Sequence, residues 1–261
     1  MENAIVIARG MIGGATMQSL GITKFFSRSD HNVPYEKIHE FKYIFLCLPT
    51  PTNFGQQNLD LIRLYVKEIN HRQKNTEKSI IIIRSTVLPG TCKKLMKENP
   101  GSIIVHYPEF LTESTWEKDA EWPDLVVVGA EDAEIREEVA GILRARYKTQ
   151  APEYVLTDTS TSETIKYGIN CFYALKVIYS NQIYDFCQEQ GVNYDTVKNA
   201  LYVRKWIGKN HLDIWHKGGR GAGGKCLEKD LDAFANFSTL PLLELANKMN
   251  KGILMMFPKK K

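Results

Sequence analysis

Six short apolar runs mark the first half of the chain. They are Ala4-Ile5-Val6-Ile7-Ala8, Ile22 to Phe26, Tyr43 to Leu48, Ser79 to Arg84, Ile103 to Val105 and Leu125 to Val128. A run this short and continuously apolar suits a strand buried on both faces. Between two of them, Asn58 to Ile69 has helical spacing, with Leu61, Ile62, Tyr65, Val66 and Ile69 on one side. Short apolar strands alternating with helices predict an α/β domain built on a parallel sheet.

The character changes after about residue 155. Ser160 to Gln190 contains no Gly or Pro except Gly168 and is apolar on most sides, through Ile165, Ile169, Phe172, Leu175, Ile178, Ile183 and Phe186. A helix so long and apolar is expected to be buried, between domains or between subunits. Val192 to Leu201 and Leu242 to Met256 read as further helices. The expected domains are therefore 1–155, a parallel-sheet domain, and 156–261, a smaller all-helical one.

Composition sets outer limits. The 261 residues are 43% hydrophobic and 25% charged, which excludes a disordered chain, a collagen or a disulfide miniprotein. No run approaches the ~18 apolar residues of a membrane span, and the N-terminus reads without a signal peptide. Five cysteines, Cys47, Cys92, Cys171, Cys187 and Cys226, form no CxxC pair. An odd, unpatterned set predicts no disulfide framework and no metal site, and a cytoplasmic setting. The net charge of +4, 34 basic against 30 acidic side chains, owes part of its excess to Lys259, Lys260 and Lys261. Such a mild excess does not argue for nucleic acid and suits a protein that handles phosphates.

Ala8-Arg9-Gly10-Met11-Ile12-Gly13 follows the first strand and precedes a helical stretch. A dinucleotide fold carries G-x-G-x-x-G there, letting backbone approach a pyrophosphate at a helix N-terminus. Ala8 stands at the first glycine, and a plain strand–helix turn is the alternative. The second strand normally ends in an acid that binds ribose hydroxyls. Here it ends in Phe26-Ser27-Arg28-Ser29, where an Arg and serines suit a 2′-phosphate unless Arg28 is simply a solvated loop residue.

On the long helix, Glu163, Lys166, Asn170, Val177 and Asn181 share one face. Polar groups buried in an apolar helix need partners. This face therefore lines a polar cavity, or Glu163 and Lys166 form a structural pair at the helix surface. The most specific stretch is Gly218-Gly219-Arg220-Gly221-Ala222-Gly223-Gly224-Lys225-Cys226-Leu227-Glu228-Lys229-Asp230. Glycines let backbone lie close to a ligand, and Lys225 and Lys229 place Cys226 in positive potential that favours a thiolate.

This segment resembles the Gly-Gly-x-Cys-x-x-Lys-Asp signature of the UDP-glucose/GDP-mannose dehydrogenases, and other segments match in order. Leu48-Pro49-Thr50-Pro51-Thr52 is similar to the family's V-x-T-P-x, and Arg84-Ser85-Thr86-Val87-Leu88-Pro89-Gly90-Thr91 to its K-S-T-V-P-x-G-T. Tyr107-Pro108-Glu109-Phe110-Leu111-Thr112-Glu113 resembles N-P-E-F-L-R-E, and Glu163 to Asn170 resembles E-x-x-K-x-x-x-N.

The resemblance implies a Rossmann-like domain followed by a helical dimerisation domain carrying the catalytic Cys. It also implies NAD, with NADP as the alternative. The implied reaction oxidises C6 of a nucleotide sugar, UDP-glucose first, to a uronic acid, as in polysaccharide biosynthesis. Two hydride transfers proceed through a Cys226 thiohemiacetal and thioester. Lys166 would stabilise the oxyanion and Asn170 position it. Asp230 and Thr86 would order water, and Glu109 would act as general base. Gly10, Met11, Ile12, Gly13, Arg28, Thr50, Pro51, Thr86 and Lys229 would meet the cofactor. Glu109, Phe110, Leu111, Glu113, Lys166, Asn170 and Gly223 would meet the sugar nucleotide.

A homodimer through the long helix is expected, with no nucleic-acid or membrane partner. Thr112 replaces the family's Arg or Lys, and Trp206-Ile207-Gly208 replaces its Arg-Ile-Gly. The family's further nucleotide-binding domain has no counterpart in this sequence. The rival readings are a single-step hydroxy-acid-type dehydrogenase, which would not need Cys226, and a non-catalytic remnant.

Overall fold

The computed structural model describes residues 1–73, 78–147, 152–224 and 226–258. The chain divides into two compact units. One comprises Met1–Thr50 and Asn58–Lys166, the other Pro51–Gln57 and Tyr167–Lys261.

The first unit begins with β1 (Ala4–Ile7), α1 (Met11–Leu20), β2 (Lys24–Phe26), a 3-10 turn over Tyr35–Glu40 and β3 (Tyr43–Leu46). The hairpin strands β4 (Thr52–Asn53) and β5 (Gln56–Gln57), which belong to the second unit, interrupt it. It resumes with α2 (Asp60–Arg72), β6 (Ile80–Ile83), α3 (Thr91–Glu98), β7 (Ile103–His106), α4 (Trp116–Glu121), β8 (Leu125–Gly129), α5 (Ala133–Tyr147) and β9 (Glu153–Thr157). Among the described residues, seven strands form one sheet in the order β2-β1-β3-β6-β7-β8-β9.

The apolar runs become strands because both sheet faces are covered. Ala4, Val6, Ile80 and Ile82 enter one core cluster, and Ile5, Ile7, Ile81 and Ile83 enter the other. Alternate side chains of one strand thus reach opposite cores, which makes a continuous apolar run the stable choice.

The sheet is mostly parallel, as expected, with one exception. β7 and β8 pair antiparallel, at His106 and Gly129. Their connection, residues 107–124, carries only the six-residue α4.

The second unit contains the β4–β5 hairpin and the later part of α6 (Thr159–Glu189), then α7 (Tyr194–Val203), α8 (Leu227–Ser238) and α9 (Pro241–Met256). The division falls inside α6 rather than ahead of it. The first turns of α6 place Ser162, Glu163 and Lys166 against groups of the sheet unit. No described helix is long and apolar enough to cross a membrane.

Candidate active site

The glycine loop expected to meet a dinucleotide forms the β1–α1 turn. Ala8 has φ +72°, the left-handed conformation that favours glycine. A methyl built on Gly13 would sit 2.0 Å from the Ala8 carbonyl oxygen, so α1 packs on β1 at a distance only glycine permits. Around Gly10 the space is open, with nothing within 4 Å of an added methyl. Gly10 caps α1 without a side-chain hydrogen bond, and the first turn carries no acid. Free amides and an unopposed helix N-terminus suit a pyrophosphate. The residues present therefore fit a dinucleotide.

A second group in the same unit centres on Lys166, from α6. Its ammonium donates to the Glu109 carbonyl at 2.7 Å and lies 3.2 Å from Glu109 Oε1. The Phe110 ring lies 5.2 Å from it, at cation–π range. Glu109 Oε2 accepts the Leu111 N–H at 2.8 Å. Burial works to raise the Glu109 carboxyl, but the Lys166 charge and these hydrogen bonds outweigh it and hold the group below its ordinary value. Glu109 is thus ionised at neutral pH and can accept a proton.

Two other groups brace this loop. Arg84 is buried, donates to the carbonyls of Tyr107 and Pro108, and lies 3.8 Å from the Tyr107 ring centre. His106 is buried with Nδ1 2.8 Å from Ser162 Oγ, and burial pushes it down to about 3. Glu163 accepts the N–H groups of Gly90 and Cys92, at 2.6 and 2.8 Å, from the first turn of α3. The Thr86 carbonyl accepts the Thr50 hydroxyl at 2.9 Å.

The second unit holds Cys226. Cys47, Cys92, Cys171 and Cys187 are buried, and Cys226 is the one partly exposed cysteine. Burial pushes the Cys47 thiol up to about 11 and the Cys171 thiol up to about 12. Cys226 occupies the N-cap of α8, where negative charge is favoured. One turn on, the buried Asp230 accepts the Asn170 amide at 2.7 Å and pairs with Lys229 through its other oxygen.

The glycine-rich loop before Cys226 is tied from two sides. Asn250 of α9 exchanges two hydrogen bonds with the Ala222 backbone. Arg220 is buried, with Asn181 and Asp185 as partners. Gly221 has φ +89°, and an added methyl would lie 3.1 Å from Ile253.

Residues 6–148 match the NAD binding domain of the UDP-glucose/GDP-mannose dehydrogenase family, and residues 160–252 match its central domain. The chain belongs to this family. Among its curated relatives, UDP-glucose 6-dehydrogenase of Rickettsia felis is 31% identical over 211 residues, covering 78% of this chain and 45% of that protein. GDP-mannose 6-dehydrogenase of Pseudomonas syringae is 31% identical over 201 residues, covering 72% and 44%. The chain thus spans about half the length of these family relatives. Its fold is that of a UDP-glucose dehydrogenase structure from Pyrobaculum islandicum (TM-score 0.76, 22% identity, 97% of this chain and 67% of that one).

The structure joins several of the family motif residues expected from sequence. Lys166 meets Glu109 and Phe110, Thr50 meets Thr86, and Asn170 and Lys229 meet Asp230. The expected alternative of a Glu163–Lys166 surface pair is not what forms. Both side chains are buried and each turns to a different partner. Glu113 and Arg28 are exposed, Pro51 opens the hairpin segment, and Gly223 lies in the tied loop. Lys225 and Lys259–Lys261 lie outside the described residues. Arg84 and His106 were not among the expected site residues. A charged side chain at the end of an all-isoleucine strand was the available signal for Arg84, and His106 carried none.

Proposed function

We propose that this chain oxidises C6 of a nucleotide sugar, UDP-glucose first, to the uronic acid, with NAD as oxidant. The observation that carries the reading is the Cys226–Asp230–Asn170 arrangement: a partly exposed thiol at a helix N-cap, one turn from a buried carboxylate that an α6 amide holds. A one-step oxidation has no use for that thiol.

Bound NAD would take up one hydride at each of two oxidations. The alcohol loses a hydride and a proton, and Glu109, ionised and close to Lys166, accepts that proton. Cys226 sulfur then adds to the carbonyl carbon, giving a thiohemiacetal whose oxygen is anionic. Lys166 stabilises that oxygen and Asn170 orients it. Loss of the second hydride gives a thioester on Cys226. Water, ordered by Asp230 and Thr86, attacks the carbonyl carbon, breaks the C–S bond and returns the thiolate. The sum is one alcohol, one water and two oxidised cofactors going to one carboxylate, two reduced cofactors and three protons.

Homodimer formation through α6 accompanies this proposal. Phe172, Tyr179 and Phe186 recur at heptad spacing on α6 and are 57–60% exposed, an apolar stripe that a second copy would cover.

The test is reduced-cofactor production on a panel of UDP- and GDP-sugars, for wild type and Cys226→Ser. Two reduced cofactors per sugar, lost in Cys226→Ser, is the expected result. One reduced cofactor per sugar, unchanged in Cys226→Ser, overturns it in favour of single-step oxidation.

A further inference from the structure

The adenosine ribose of NAD is ordinarily gripped by a carboxylate at the end of the second strand. Here the Phe26 carbonyl, at the end of β2, accepts the Ala8 N–H at 2.8 Å. The turn that follows β2 therefore lies beside the glycine loop. Ser27 comes next, and its hydroxyl accepts the Arg9 N–H at 2.8 Å. The position beside the loop is thus a neutral hydroxyl already oriented by the loop itself.

Ser27 and Asp30 close a tight turn by two backbone hydrogen bonds. At its tip are Arg28 and Ser29, both exposed. Among the described residues Arg28 has no hydrogen bond or ion pair, while its charge is felt at Tyr65 of α2. Asp30 is the one acid of the turn, and Arg9 holds its carboxylate at 3.0 Å. The turn therefore offers a serine, a guanidinium and a second serine in succession, with its carboxylate engaged elsewhere. A free guanidinium flanked by hydroxyls matches the geometry and charge of a phosphate dianion and has nothing to offer a ribose diol that serine alone would not supply.

We propose that Ser27, Arg28 and Ser29 form a 2′-phosphate subsite, so that this chain accepts NADP(H) as well as NAD(H). This rests on the dinucleotide role proposed above. Arg28 is the specificity-determining residue. Its guanidinium takes the phosphate oxygens, and the Ser27 and Ser29 hydroxyls complete the cradle.

Binding tests this without turnover. The full chain is titrated with NADPH and with NADH, following nicotinamide fluorescence. Wild type is expected to bind NADPH within about tenfold of NADH. Arg28→Ala should weaken NADPH by about tenfold, the scale of one charge-assisted hydrogen bond, and leave NADH within about twofold. Ser27→Asp should shift the preference toward NADH. Competition by 2′-phospho-ADP-ribose over ADP-ribose would place the contact at the ribose.

The proposal is overturned if wild type binds NADPH at least about tenfold more weakly than NADH, or if Arg28→Ala weakens both equally. Loss of NADH binding in Asp30→Ala, with NADPH unaffected by Arg28→Ala, would assign the ribose to Asp30 and also overturn it. Failure to bind either dinucleotide would remove the dehydrogenase reading itself, and this subsite with it.

Discussion

Lys166 and Glu109 are joined twice, through the backbone carbonyl and through the carboxylate, with both side chains almost fully buried. Two buried charges so closely matched hold each other in place more than they add to stability. The pair also explains why the Glu109 carboxyl stays ionised in a site that burial would otherwise neutralise.

Breaking that pair from one side is expected to be costly. Lys166→Met should lower unfolding free energy by about 3–5 kcal/mol, because it strands a buried carboxylate. Adding Glu109→Gln should recover much of that loss. Urea denaturation of the two single variants and the double variant measures the coupling. Strictly additive losses would show that the pair does not act as a unit.

Acid should weaken the fold through His106. Its folded-state value, about 3, lies below its ordinary 6.5. Between those values the unfolded chain binds a proton that the folded chain does not, so stability falls as pH falls. The slope from this one group approaches about 1.4 kcal/mol per pH unit. Glu109, also held low, acts in the same direction further down the carboxylate range. Unfolding curves at a series of pH values should be flatter for His106→Asn than for wild type. Parallel curves would contradict the assignment.

Two substitutions at the glycine loop should have opposite signs. Ala8→Gly relieves a φ of +72° and should stabilise by up to about 1 kcal/mol, with dinucleotide binding retained. Gly13→Ala forces a methyl onto the Ala8 carbonyl and should destabilise and weaken dinucleotide binding together. Denaturation midpoints and a dinucleotide titration decide both.

Glu163→Gln should loosen the start of α3. An amide can accept only through its one oxygen, so one of the Gly90 and Cys92 N–H groups loses its partner. The expected cost is about 1–3 kcal/mol. Amide hydrogen exchange should quicken at Gly90 and Cys92 and stay unchanged in the β1–β3 centre of the sheet. Unchanged protection at both amides would show that the carboxylate is not their partner.

Strands were legible where burial on both faces made them continuously apolar, as in Ile80–Ile83. β9 was not. Glu153–Thr157 mixes exposed and half-buried positions at the sheet edge, and an edge strand lacks the uniform apolar signal of a central one. The antiparallel pairing of β8 with β7 was hidden too, since an apolar run marks a strand but not its direction. At the site, motif order singles out Glu109, Lys166, Asn170 and Asp230 one by one. Their pairing was not legible, because Glu109 and Asp230 lie about 60 residues from Lys166 and Asn170 in opposite directions along the chain. Nothing in a sequence of one chain says that Glu163 turns away from Lys166 to a distant helix end.

That distant helix end also sets a timetable. α3 receives its cap from a residue that follows it by 71 positions, and β9 joins the sheet only just before. During synthesis the ribosome has released the centre of the sheet long before it has made Glu163. Until then the α3 amides must be satisfied by water. The sheet unit is thus completed from its far end, with the first turns of α6 as its last structural part, and those same turns deliver Lys166.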